Sequence, residues 1–165
     1  MDHINIRNAS QRDIEEILAI YNEGISDRIA TLEKETKDYP YMMDWFNKHQ
    51  DRYKAIVAEN DGEVVGWASL NVYNARAAYK GVADLSVYIK RGYRGKGIGG
   101  RLLTSIENLA RENEFHKIVL STFPFNELGQ GLYKKKGFRI VGVYENQGML
   151  DGHYVDVMAM EKSLI

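Results

Sequence analysis

The stretch RGYRGKGIGGR, residues 91–101, gathers five glycines and four cations and leads straight into an amphipathic segment. Glycine lacks a Cβ, so it lets a backbone turn sharply or come close to a ligand, at an entropic cost. The start of a helix offers unpaired N–H groups and the positive end of the peptide dipole, and both attract phosphate. Gly95, Gly97, Gly99 and Gly100 would let a pyrophosphate reach those N–H groups, while Arg91, Arg94, Lys96 and Arg101 add positive charge around them. Capture of a diphosphate-bearing ligand is therefore the chemistry that this stretch offers. It is not a P-loop, because no GxxxxGK[ST] run exists. The spacing Gly95-x-Gly97-x-x-Gly100 matches the dinucleotide fingerprint by accident, because it follows the third or fourth strand and not the first.

The elements that must position this loop can be read from periodicity. Residues 3–7 alternate like a short strand, and Ser10 can cap a helix carrying Ile14, Ile17, Leu18, Tyr21 and Ile25 at helical spacing. A second helix is expected over 40–50. Strands at 54–60 and 63–73 flank Asp61-Gly62, a turn that hairpins prefer. A strand at 81–90 precedes the glycine loop, and a helix from about 98 to 113 follows it, with Ile98, Leu102, Leu103, Ile106, Leu109 and Ala110 on one face. A strand at 117–122, a short helix near 127–136, and strands at 138–144 and 153–161 complete the order β-α-α-β-β-β-α-β-α-β-β. That order predicts a mixed α/β sheet, with antiparallel hairpins first and a βαβ unit later.

Composition narrows the function classes. A chain of 165 residues, without repeat, linker or low-complexity tract, fits one domain spanning 1–165. The absence of cysteine excludes disulfides, thiolate metal sites and a cysteine nucleophile. His3, His49, His116 and His153 show no metal-ligand spacing, so no metal is expected. The formal net charge of −1 argues against nucleic acid or membrane as a general partner. No apolar stretch approaches the roughly 20 residues of a membrane span, so a cytoplasmic location is expected. The run Lys134–Lys136 reads as a solvated helix end that complements the dipole.

Arg94-x-x-Gly97-x-Gly99, after the strand LSVYI, resembles the [Q/R]-x-x-G-x-[G/A] motif of the GNAT superfamily of acetyl-CoA-dependent N-acetyltransferases. The segments 20–33, 84–103, 126–138 and 150–162 are similar, in order and spacing, to the phosphinothricin N-acetyltransferase-like branch. The resemblance implies a single-domain GNAT fold, with a twisted, mostly antiparallel central sheet flanked by helices. It implies acetyl-CoA as co-substrate and a homodimer built on the C-terminal hairpin with Met149, Tyr154, Val155 and Val157. By the same resemblance, backbone groups of Val87, Tyr88 and Ile89 pair with the pantetheine arm. The backbone N–H groups of residues 95–100, those of Lys96 and Ile98 among them, hold the pyrophosphate with Arg94 adding charge beside them, and Asn126 bonds the lower pantetheine. Asp84 falls where relatives carry a glutamate linked to amine deprotonation. Tyr133 falls where many members have a tyrosine that protonates the leaving sulfur. Arg76 falls at a position associated with the substrate's carboxylate. Two departures stand out: the branch's A-T-F-E reads Ala30-Thr31-Leu32-Glu33, and Gly129 and Gly131 replace better helix formers.

The chemistry suits such groups. An α-amino group, with a pKa of about 7.7–8.0, is mostly protonated at neutral pH, so a base helps it to attack a thioester. Asp84, one methylene shorter than glutamate, favours a relaying water. The expected reaction is acetyl transfer to a small amino-acid-like amine of the phosphinothricin or methionine sulfoximine type. Other readings are transfer to a polyamine, an aminoglycoside or a protein lysine, a non-catalytic acyl-CoA-binding module, and a nucleotide-binding regulator.

Overall fold

A computed structural model describes residues 3–165. Its elements are β1 (Ile4–Asn8), α1 (Ile14–Asp27), α2 (Tyr39–Asn47), β2 (Ala55–Asn60), β3 (Glu63–Val72), β4 (Val82–Ile89), α3 (Ile98–Glu112), β5 (Lys117–Thr122), α4 (Glu127–Lys135), β6 (Arg139–Leu150) and β7 (His153–Ser163). The seven strands form one sheet in the order β1-β2-β3-β4-β5-β7-β6. This is the expected element order and the expected mixed sheet. Only β4 and β5 pair in parallel among the described residues, because a helix, α3, connects them.

Local chemistry sets the boundaries. Ser10 begins a capping box with Asp13, but the first turn is a short 3-10 helix and the α-helix starts only at Ile14. The Asp13 carboxylate accepts hydrogen bonds from two Arg7 nitrogens, both at 2.8 Å, and from the Ser10 N–H at 2.7 Å. Burial works against its charge, but these donors hold the Asp13 carboxyl below the usual range. Asp61-Gly62 turns β2 into β3 with both residues at positive φ, 49° and 85°. Asp151-Gly152 does the same for β6 and β7, at 52° and 81°. This second hairpin extends β6 to Leu150, six residues beyond the strand expected from periodicity. Its Asp-Gly pair is the signal that would have revealed it.

The sheet has two buried faces. On one, α3 packs Ile98, Leu102, Leu103, Ile106 and Ala110 against Ala68, Leu70, Ala83 and Leu85. On the other, α1 and α2 bring Ile14, Ile17, Ile20, Met42 and Phe46 against Val57, Val64 and Trp67. Each large apolar side chain buried here contributes about 1.5–3 kcal/mol. Strand alternation therefore sends Ala83, Leu85, Val87 and Ile89 toward α3, and Asp84, Ser86 and Tyr88 toward the α1 and α2 side. No helix among the described residues is long and apolar enough to cross a membrane.

Candidate active site

The site arises where two parallel strands part. β4 and β5 pair only from Val82↔Lys117 to Asp84↔Val119. β4 runs on to Ile89 and β5 to Thr122, so the β4 edge beyond Asp84 is not paired with β5. Asp84 stands at the fork. A cavity of about 350 Å³ opens beside it, lined by Ser86, Thr122, Asn126, Tyr133 and Gln147 among others. A second cavity, of about 510 Å³, continues along Val87, Tyr88 and Ile89 to the glycine loop. Ala30, Val87, Tyr88, Asn126 and Tyr133 line both, so the two form one continuous cleft.

The loop behaves as a cradle. Gly95 and Gly97 take φ of 74° and 86°, and Gly97 is the N-cap of α3. A Cβ on either would meet nothing within 4 Å, so the backbone faces open space. The first N–H groups of α3 have no partner within the helix and point toward its N-terminal end. Gly95, Gly97, Gly99, Gly100 and Arg94 line the cleft. Ile98 is only 1% exposed and packs in the core, so any contribution to a ligand comes from its backbone. Lys96 lies outside the cleft lining, with its Nζ 5.7 Å from the Tyr93 ring centroid.

The loop's positive charge is also partly spoken for. Asp27, at the end of α1, binds Arg91 at 2.7 Å and Arg94 at 2.8 Å. The Arg94 Nε donates to the Ile89 carbonyl at 3.1 Å. Arg94 thus braces the loop against α1 and β4 instead of standing free, a pairing across the fold that spacing does not reveal.

Asn126 caps α4: its Oδ1 accepts from the Gly129 N–H at 3.1 Å, and its Nδ2 donates to Thr122 Oγ1 at 3.3 Å. Tyr133 lies about two helical turns further on and packs edge-on against Phe138, with ring centroids 5.9 Å apart. Burial pushes the Tyr133 hydroxyl up to about 12, so it stays protonated at neutral pH. Burial likewise raises the Asp84 carboxyl to about 6, against a hydrogen bond from Asn71 that favours the charged form. A carboxyl titrating there is mostly ionised at pH 7 and still basic enough to take a proton, which is what a general base requires. Arg76 is exposed, just before the short Ala77–Tyr79 turn, and it is not among the residues lining the cleft.

The acetyltransferase (GNAT) family model matches residues 14–138. The chain belongs to the GNAT family of acetyltransferases. It is similar to the L-methionine sulfoximine/L-methionine sulfone acetyltransferase of Pseudomonas aeruginosa, 31% identical over 162 residues, which are 97% of this chain and 94% of the relative. Among solved structures, the GNAT phosphinothricin acetyltransferase of Sinorhizobium meliloti in complex with AcCoA superposes with a TM-score of 0.93 at 26% identity, covering 98% of this chain and 89% of that one. The ribosomal-protein-alanine N-acetyltransferase of Brucella melitensis superposes with a TM-score of 0.94 at 30% identity, covering 97% and 99%.

Within this GNAT fold, Gln147 and Asn71 join the site without a role assigned to them from the sequence, whereas Thr31 and Leu32 belong to the Ala30–Glu33 stretch already marked there. Thr31 and Leu32 bring the loop after α1 over the Asp84 cavity, and Leu32 rests on Gly148. Gln147 arrives through a register shift between Tyr144 and Gly148 in β6, of the kind that re-aims side chains. No sequence signal marks it. Asn71 faces Asp84 directly in the antiparallel register of β3 and β4. Its signal was legible: Ser69 and Asn71 are polar at alternate positions where Trp67 predicts an apolar face.

Proposed function

We propose that this protein transfers an acetyl group from acetyl-CoA to the amine of a small amino-acid-like acceptor of the methionine sulfoximine or phosphinothricin type. The observation that carries the reading is the placement of Asp84 at the fork where the open β4 edge begins. The cleft fits the co-substrate. The free edge past Asp84 offers backbone groups of Val87, Tyr88 and Ile89 to an extended amide-bearing arm, as an added strand does. The glycine cradle offers N–H groups to a pyrophosphate, and Asn126 stands between the two cavities. The relatives named for these acceptors support the acceptor class.

Acetyl-CoA supplies a thioester carbonyl that an unprotonated amine attacks. Asp84 takes the amine's proton, directly or through one water. The new C–N bond forms, the C–S bond breaks, and the Tyr133 hydroxyl gives its proton to the departing thiolate. That thiolate is a good leaving group, with a thiol pKa of about 8.5, so Tyr133→Phe is expected to lower kcat by only about tenfold. Steady-state kinetics at saturating acetyl-CoA checks this.

The decisive assay is release of free CoA thiol with methionine sulfoximine, phosphinothricin, a polyamine, an aminoglycoside and an alanine-terminated peptide as acceptors. Fast release with the first two is expected. Release with the peptide alone would reassign the acceptor, and no acceptor-dependent release at all would overturn the proposal.

We also propose that the protein pairs through its C-terminal hairpin. β6 is an edge strand, and Ile140, Val141, Val143, Tyr144, Met149 and Tyr154 are exposed on the hairpin. A long apolar edge is a ready template for association. Val157, expected at such an interface, instead packs inward with Phe123 and Leu150. Sedimentation velocity at micromolar concentration should show a dimer, and Val143→Lys should shift it to monomer.

A further inference from the structure

A chain of polar contacts leads from Asp84 away from the cleft. Asn71 Nδ2 donates to Asp84 Oδ2 at 3.2 Å and to Ser86 Oγ at 3.0 Å. Asn71 Oδ1 accepts from Ser69 Oγ at 2.9 Å and lies 2.8 Å from His49 Nε2. His49 Nδ1 lies 2.7 Å from the Trp45 carbonyl. The imidazole also stacks on the Trp45 ring, with centroids 4.6 Å apart.

The donor inventory restricts this chain. A backbone carbonyl only accepts, so His49 Nδ1 must carry a hydrogen. With the Asn71 amide turned to donate to Asp84, its oxygen faces Nε2, and that nitrogen must carry a hydrogen too. His49 is then an imidazolium. Its place just past the end of α2 suits a cation, because the last carbonyls of a helix present partial negative charge. If Asp84 is protonated, the amide can turn over. Asp84 then donates to Oδ1, and Nδ2 donates to an unprotonated Nε2 on neutral His49. Other charges stand aside: Lys48 pairs with Asp44 at 2.9 Å, Lys54 Nζ donates to the Gln50 carbonyl, and Asp51 is exposed. Asp84 is the charged group that Asn71 links to the ring.

We propose that His49 is a positioning residue for Asp84: its Nε2–H locks the Asn71 amide in the orientation that donates to the ionised carboxylate. The inference rests on Asp84 acting as the base, but its test does not. In the wild-type protein at pH 7.5, long-range ¹H–¹⁵N spectra of the histidine rings should show both His49 nitrogens protonated. The ¹³C shift of the Asp84 carboxyl, followed against pH, should give a midpoint about one unit higher in His49→Phe, where the donor to Asn71 is lost. His49→Gln, which restores an N–H donor, should return the midpoint toward wild type. The acid limb of kcat/KM should move in parallel. A purely structural role for His49 would lower the melting temperature and leave both midpoints in place.

An unprotonated Nε2 beside an ionised Asp84 overturns the inference, even if no variant folds. So does an unmoved carboxyl midpoint in His49→Phe. If the midpoint moves but Asp84→Asn turns over like wild type, the base assignment fails and the link stands. If Asp84→Asn is inactive and the midpoint is fixed, only the link fails.

Discussion

Asp84→Asn should lower kcat/KM by about 10²–10⁴-fold, the usual contribution of a positioned general base, while leaving acetyl-CoA affinity unchanged. The wild-type profile should show an acid limb with a midpoint of about 6, where the Asp84 carboxyl loses its proton. In the variant that limb should vanish, leaving only the acceptor's own titration. The same substitution should stabilise the fold. Burial raises the carboxyl above its unfolded value, so the native state binds the proton more tightly than the unfolded chain. The site therefore destabilises the native state progressively as pH rises from about 4 through about 6. Asparagine keeps the shape and the contact with Asn71 without the charge. At pH 8 the variant should be more stable by about 1–3 kcal/mol, and at pH 3 nearly equal to wild type. Denaturant unfolding at both pH values checks this. Equal stability at pH 8, or a surviving acid limb, would show that Asp84 is neither strained by burial nor the titrating base.

Gly97→Ala should separate the cradle from ordinary backbone strain. Gly97 sits at φ 86° and Gly62 at φ 85°, each with open space where a Cβ would project. Either alanine substitution forces an L-residue into the left-handed region, at roughly 1–2 kcal/mol. The melting temperatures should therefore fall together. Their effects on the co-substrate should differ. Gly62 lies in the hairpin turn between β2 and β3, remote from the cleft lining. Gly97 caps α3 where N–H groups face the open cavity. Calorimetry with acetyl-CoA should show about tenfold or weaker binding in Gly97→Ala, the equivalent of one lost hydrogen bond to a charged group. Gly62→Ala should bind as wild type does. Equal binding by both variants would mean that the diphosphate sits elsewhere.

How much of the site could be read beforehand follows from how local each signal is. The glycine loop was readable because a helix start and its glycines are adjacent in sequence. The α3 stripe was readable because its burial repeats every three to four residues. Asn71 was within reach, since polar residues broke an apolar alternation, but its partner on β4 needed the strand register. Asp27 lies 64 positions from Arg91, and nothing in either neighbourhood announces their pairing. Gln147 depends on an irregularity of β6, and such register shifts reflect packing between strands more than any short pattern.

The order of elements, the turns with their Asp-Gly pairs, and the phosphate-seeking loop were determined by the sequence itself, because each depends on backbone freedom and periodicity within a few residues. The GNAT-like motif added the roles expected of Asp84 and Tyr133. Only the tertiary structure decided that β4 and β5 part at Asp84, that burial lifts its carboxyl toward neutrality, and that His49 reaches it through Asn71. Desolvation and hydrogen-bond orientation depend on groups from β3, β4 and α2 meeting in space, and a linear pattern does not encode that meeting.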